Sequence, residues 1–159
     1  KSYLLSSNKE ALSPSVNQVY SKLKKNIGFE TFVGNWETID QSSINQFADI
    51  TGDNQWIHTD PIRANAESPF KTTIAHGFLT LAMIPKLTET ISSKNNHYQN
   101  ARMVVNYGLN QVRFPFPVRS GSRVRARKKL IDLIPRKRTI EVIDEVCVCK
   151  LFTDHLHIA

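Results

Sequence analysis

Long apolar runs are missing from this chain. None reaches the roughly 18 residues that a membrane-spanning helix requires, so no membrane partner is expected. Cysteine is nearly absent. Cys147 and Cys149 are the only two, too few for a disulfide framework. The stretch from Lys1 to Ser13 is polar and lacks the apolar core of a signal peptide. Together these absences set a cytoplasmic, reducing location as the default expectation. Acids are scarce in one region. From Arg113 to Arg138 there are ten Lys or Arg residues against Asp132 alone. A basic stretch attracts phosphates, whether of nucleic acid, a membrane surface or a phosphorylated cofactor. No aromatic residue lies between Arg119 and Arg138. Without aromatics on which bases could stack, nucleic acid is not the expected partner.

What is present fits one globular domain. The chain has 159 residues, 40% of them apolar and 22% charged, with a formal net charge of +7. Ser13-Pro14 reads as an N-cap followed by Pro at the first helical position. Val16, Val19, Tyr20 and Leu23 continue that helix, and Gly28 closes it. Residues 31–39 read as a strand. Asp40 or Ser42 caps a second short helix with Ile44, Phe47 and Ala48 on its apolar face, and Gly52 ends it in a left-handed turn. Residues 53–58 are then a loop. Asp60-Pro61 starts another short helix. From Ile74 to Ile91 the apolar residues cover most of a helix circumference, which predicts burial on nearly all sides, with a kink or break at Pro85. A polar loop is expected over 92–100. Strands are expected over 102–114, 122–133 and 138–152, where alternation at period two marks an antiparallel sheet with one buried face. One apolar helix followed by antiparallel strands predicts an α+β fold, with the sheet curled round the helix.

Chemistry concentrates in two segments. Phe47 to Asp60 places Asp53 and His58 close together in a loop that Trp56 and Ile57 anchor. A carboxylate beside an imidazole can act on one water as a general acid–base pair. The second segment, Ile74-Ala75-His76-Gly77-Phe78-Leu79-Thr80, opens the apolar helix. Gly77 either exposes an amide to a negative oxygen or only permits close packing, and both readings stand at this point. His76 either lines the site or fixes the helix start through a hydrogen bond. Asp60 is expected to cap its helix. His155 and His157 are spaced like metal ligands, but in sequence they lie near an end without partners. Cys147-x-Cys149 places both thiols on one strand face. With no second cysteine pair, a zinc site is not expected.

Phe47-Ala48-x-x-Thr51-Gly52-Asp53, then His58, then Ala75-His76-Gly77-Phe78-Leu79, resembles the MaoC-like hydratase-2 family. Gln55-Trp56-Ile57-His58 and the stretch from Asn106 to Pro115 resemble its nodulation protein N branch. The resemblance runs from about Thr38 to Leu133. It implies a hot-dog fold, a long central helix wrapped by a curved antiparallel sheet. This single domain would span residues 1–159, with an N-terminal helical extension over about 1–28. It also implies (R)-specific hydration of trans-2-enoyl-CoA, or the reverse, with Asp53 and His58 catalytic and Gly77 supplying the oxyanion amide. His76, Asn54 and Gln55 would bind substrate. Arg123, Arg125 and Lys128 are the candidates for the CoA phosphates. The CoA thioester is the substrate, so no cofactor and no metal is implied, and a homodimer is expected. The broader family has Asn-Pro where this chain has Gln55-Trp56. Two alternatives are a hot-dog thioesterase and a non-catalytic module that binds acyl-CoA or nucleic acid. A thioesterase needs an acid on the central helix, and none occurs from His76 to Pro85.

Overall fold

The computed structural model describes residues 12–90, 98, 101, 103–150 and 153–158, the last six by backbone alone. Helix α1 (Pro14–Leu23) starts as its sequence dictates. The Ser13 hydroxyl accepts from the Val16 amide, and Pro14 occupies the first turn. Gly28 adopts φ +86° and donates its N–H to the Leu130 carbonyl at 2.8 Å. The helical unit is thereby tied to the sheet.

The expected strand over 31–39 is two strands, β1 (Glu30–Val33) and β2 (Glu37–Ile39). Both pair antiparallel with one long strand, β3 (Ser122–Pro135), one beyond the other along its edge. Gly34 sits where they separate. A Cβ there would lie 2.1 Å from the carbonyl oxygen of Leu87. The sheet and the end of the apolar helix approach too closely for any side chain at this point.

Helix α2 (Gln41–Thr51) is capped by Asp40, whose carboxylate accepts from the Ser43 amide, and ends at Gly52 with φ +77°. Both signals were legible in the sequence. Two short helices follow, α3 (Trp56–Thr59) and α4 (Pro61–Glu67), and Asp60 caps the latter as expected. The apolar segment forms α5 (Gly77–Ala82) and α6 (Ile84–Leu87), and the break at Met83 comes just before Pro85. Pro85 has no N–H to donate, so the interruption has its expected cause. Burial of this helix is less complete than its composition suggests. Leu79, Thr80 and Leu87 are buried, while Phe78 is 67% exposed. One sheet covers one side only, and the opposite face stays open.

Strands β3, β4 (Ile140–Lys150) and β5 (Thr153–Ile158) complete an antiparallel sheet of order β1-β3-β4-β5, with β2 also on β3. Val124, Ala126, Val146 and Val148 join Ile39, Ile44, Leu79 and Leu87 in one apolar core. Strand β5 was not foreseen, because Thr153 to Ile158 mixes polar and apolar residues without a clear run. The strand expected over 102–114 is corrected: among the described residues this stretch pairs with no strand. Met103, Val105, Tyr107 and Leu109 recur at period two, and each is at least 60% exposed. A strand exists only where its N–H and C=O groups meet partners, and the described residues of the single chain present none here. Apart from Tyr98, the loop expected over 92–100 lies outside the described residues, as does most of the polar stretch before Ser13. Among the described residues no helix is long and apolar enough to cross a membrane.

The two glycines separate steric from conformational cost. Gly34→Ala is expected to destabilise by about 2–3 kcal/mol through overpacking. Gly52→Ala should cost about 1 kcal/mol from its left-handed φ. Thermal unfolding of both variants checks the order. A Gly34→Ala variant as stable as the parent contradicts the close approach to Leu87.

Candidate active site

Helix α2 delivers the first site residue. Its left-handed end at Gly52 turns the chain so that Asp53 leaves the helix beside α3. The sequence reading put His58 in a loop. Instead it lies in the single turn of α3 and is 7% exposed. Trp56 opens that turn, with the Arg63 guanidinium over its ring at 4.5 Å.

The backbone of His58 is clamped from outside the motif. The side-chain amide of Gln41 donates to the His58 carbonyl at 2.7 Å, and the Gln41 side-chain oxygen accepts from the Thr73 hydroxyl. Thr73 is 1% exposed. Gln41 and Thr73 escaped sequence reasoning. A Gln in the first turn of a helix carries no local sign that its amide reaches residue 58.

The His58 ring is oriented by main chain. Nδ1 lies 2.7 Å from the Ile74 carbonyl oxygen. A carbonyl can only accept, so Nδ1 carries the proton and the neutral ring keeps its lone pair on Nε2. Ile74 is itself fixed. Its amide donates to the Ile57 carbonyl at 3.0 Å, and it forms a β-bridge with Arg119.

His76, just ahead of α5, is 4% exposed. Its ring stacks on His58 with centroids 3.8 Å apart, and the Phe47 ring lies 5.1 Å away. Nε2 of His76 donates to the Asp53 carbonyl at 2.9 Å. The helix start and the Asp53 turn are therefore one unit. This is the hydrogen-bonding role considered for His76, and the ring also lines the site. Its Nδ1 is buried and has no hydrogen-bond partner among the described residues.

Asp53 is half-buried. Its Oδ1 accepts from the Gln55 side-chain amide at 3.0 Å. That bond holds the carboxyl below the ordinary carboxylate range. Partial burial pushes the other way, and His58 and His76 add a smaller lowering. Gln55, where the broader family differs, thus has a visible task in keeping Asp53 ionised and aimed.

One ligand-type atom from each of Asp53, His58 and His76 lies within 4.8 Å of the other two. A zinc ion held by nitrogen and oxygen needs neighbouring ligand atoms about 3.4 Å apart. Nδ1 of His58 and Nε2 of His76 are already committed to carbonyls. The three side chains are close enough together to hydrogen-bond one water molecule between them.

The remaining expectations divide. Asn54 is exposed and takes part in the motif through its main chain: its N–H donates to the Gly52 carbonyl at 3.1 Å and its carbonyl accepts from the Thr59 hydroxyl at 3.3 Å. Gly77 opens α5, so its N–H has no carbonyl one turn back. A Cβ on Gly77 would also lie 2.8 Å from the Phe114 ring. The open amide and the close packing therefore coexist at this residue. Arg123 is exposed on β3. Arg125 stacks on Trp36 at 4.6 Å. Lys128 does not face outward: it is 5% exposed, with Nζ 3.5 Å from Asp144 and 3.2 Å from the Tyr98 hydroxyl. It shares the face of Val124, Ala126 and Leu130, as period-two alternation requires, so its charge is spent inside the fold.

Replacing Gln55 by Ala is expected to raise the Asp53 carboxyl toward its ordinary value of about 3.9. Carbon-13 NMR titration of the carboxyl reads this directly, and an unmoved midpoint removes Gln55 from the control of Asp53.

Comparison with known proteins bears on the family and the fold. The family described as MaoC like domain matches residues 23–149. The 3-hydroxyacyl-thioester dehydratase Z of Mycobacterium tuberculosis is 54% identical over 98 residues, which is 62% of this chain and 62% of that protein. This chain thus matches a little under two thirds of that relative's length. Nodulation protein N of Rhizobium meliloti is 48% identical over 114 residues, covering 72% of this chain and 69% of its own. Among solved structures, the R-hydratase PhaJ1 of Pseudomonas aeruginosa superposes with a TM-score of 0.65 at 23% identity, over 83% of this chain and 76% of its own. The fold is the expected hot dog, and the chain belongs to the MaoC-like domain family.

Proposed function

We propose that this chain hydrates trans-2-enoyl-CoA to the (R)-3-hydroxyacyl-CoA, or catalyses the reverse dehydration. The observation that carries the reading is the orientation of His58. Its Nδ1–H is held by Ile74, which leaves the lone pair on Nε2, and His58 and Asp53 offer ligand-type atoms within 4.8 Å of each other. The likeness to a 3-hydroxyacyl-thioester dehydratase supports the same reaction class.

In the hydration direction, one water sits between Asp53 and His58. Asp53, kept ionised by Gln55, accepts from the water and orients it. His58 takes a proton as the water oxygen bonds to C3. The π electrons shift toward C2 and the thioester oxygen, and the Gly77 amide stabilises that oxygen as charge develops. A proton then reaches C2 from the same pair. The unpartnered Nδ1 of His76 is a further acceptor lone pair on the wall of the site. Arg123 and Arg125 are the remaining candidates for the CoA phosphates. The reaction needs no organic cofactor, because CoA is part of the substrate. Hydrolysis is the weaker reading, since α5 and α6 carry no acid and Glu89 beyond them accepts from Asn35 at 3.0 Å.

Asp53→Asn and His58→Ala are each expected to lower hydration of crotonyl-CoA roughly 10²–10⁴-fold with unchanged far-UV circular dichroism. Near-parental rates in either variant remove that residue from the mechanism.

A second copy of the chain belongs to this reading. Met103, Val105, Tyr107 and Leu109 together with Phe78 form more exposed apolar surface than isolated surface residues explain. The open face of α5 and the unpaired 103–116 stretch lie against each other through the Phe78–Phe114 ring contact at 5.8 Å. A homodimer that covers both is expected. Sedimentation should give twice the 18.1 kDa chain mass, and a monomer at all concentrations contradicts it.

A further inference from the structure

His58 is held twice, by its ring and by its main chain, and both holds lead to one short segment. The ring Nδ1–H donates to the Ile74 carbonyl at 2.7 Å. The His58 carbonyl accepts from the Gln41 side-chain amide at 2.7 Å. The oxygen of that amide accepts from the Thr73 hydroxyl, and Thr73 directly precedes Ile74. The bonds therefore close a circuit that leaves His58 through its ring and returns through its carbonyl.

The Gln41 amide is fully committed. Its Nε2 also donates to Asn45 Oδ1 at 2.8 Å, so both amide hydrogens and the oxygen are in use. The His58 carbonyl can only accept, so the amide nitrogen must face it and the oxygen must face Thr73. Both anchors are fixed by the fold. Gln41 opens α2 directly after its Asp40 cap, and the preceding Ile39 is wholly buried, its carbonyl accepting from the Gly121 amide at 2.7 Å. The buried Thr73 has its carbonyl taken by the Ser120 amide at 2.9 Å. We propose that Gln41 and Thr73 are positioning residues for His58, which hold its Nδ1–H on the Ile74 carbonyl and so keep the lone pair on Nε2.

The circuit meets a need that α3 creates. That helix ends at Thr59, so the His58 carbonyl lacks a helical N–H one turn ahead, and Gln41 supplies the donor. Without Gln41, the Ile74 amide still holds the Ile57 carbonyl at 3.0 Å, but the peptide unit after His58 is free to rotate about that point. The ring then swings relative to the Ile74 carbonyl. A neutral imidazole carries its proton on whichever nitrogen finds an acceptor, so a misplaced ring holds part of its proton on Nε2. Removing the Thr73 hydroxyl opens the same circuit from the other side and leaves the Gln41 oxygen without that donor. The effect on rate rests on the hydratase reading; the effect on the ring does not.

Four variants of the full chain test this: Gln41→Ala, Thr73→Val, the conservative Thr73→Ser, and Gln46→Ala, a control on the exposed side of α2. Long-range proton–nitrogen correlation on nitrogen-15-labelled protein reads the His58 tautomer. Gln41→Ala and Thr73→Val should shift His58 toward the Nε2–H form, while Thr73→Ser and Gln46→Ala match the parent. In crotonyl-CoA hydration the first two should lower kcat at least about tenfold, toward the roughly hundredfold cost of small misplacements, with KM unchanged. Thr73→Ser should restore kcat. Parent-like His58 nitrogen signals in both Gln41→Ala and Thr73→Val overturn the proposal, as does an equal kcat loss in Gln46→Ala. If Thr73→Val fails to fold, the half-buried Gln41 decides through its alanine variant. If the parent leaves crotonyl-CoA untouched, the hydratase reading fails and the nitrogen spectra still decide the positioning role.

Discussion

The hydrogen bond from His58 Nδ1 to the Ile74 carbonyl is the constraint on which the site depends. It is charge-neutral and only 2.7 Å long, yet it decides which ring nitrogen holds a lone pair. A buried imidazole without such a partner would be free to exchange tautomers. Here the choice is made by main chain, and that main chain is stitched to α3 by Ile57 and to the sheet side by Arg119. The stacked His76 ring closes the other side and ties the start of α5 to the Asp53 turn. The orientation of the His58 ring is thereby inherited from the fold: displacing the 73–75 segment would move His58, His76 and Asp53 together.

That segment stays in place because the layers around it are packed. Gly34 lets the β1–β2 junction touch the end of α6, with no room for a Cβ. Leu79 and Leu87 lie against Val124, Ala126 and Val148 in the core. The same helix opens at Gly77, next to His76, and leaves Phe78 67% exposed, so the proposed chemistry and the proposed association would draw on one short helix. Buried Lys128 fits this frame. Its ion pair with Asp144 and the bond to Tyr98 satisfy a charge that the core face of β3 could not otherwise tolerate.

Local signals were the legible ones. Ser13-Pro14, Asp40, Gly52 and Asp60-Pro61 each act within four residues, and each marked its helix boundary correctly. The pairing of Asp53 with His58 was visible because both lie in one short segment that resembles a known family. Contacts between distant residues were not visible. Gln41 reaches His58 and Thr73, and His76 reaches back to the Asp53 carbonyl, by geometry that no spacing rule encodes. The 102–114 stretch shows the opposite error. Its period-two pattern is genuine, but a strand also needs a neighbour, and the described residues of the single chain do not supply one.

The central claim is that His58 carries its proton on Nδ1 and keeps Nε2 as the base. Long-range proton–nitrogen correlation on the nitrogen-15-labelled chain measures this directly in the neutral ring. A protonated, pyrrole-type Nδ1 and a pyridine-type Nε2 are predicted for His58. A proton resident on Nε2 would contradict the account, because the lone pair would then face the Ile74 carbonyl and no base would face the water.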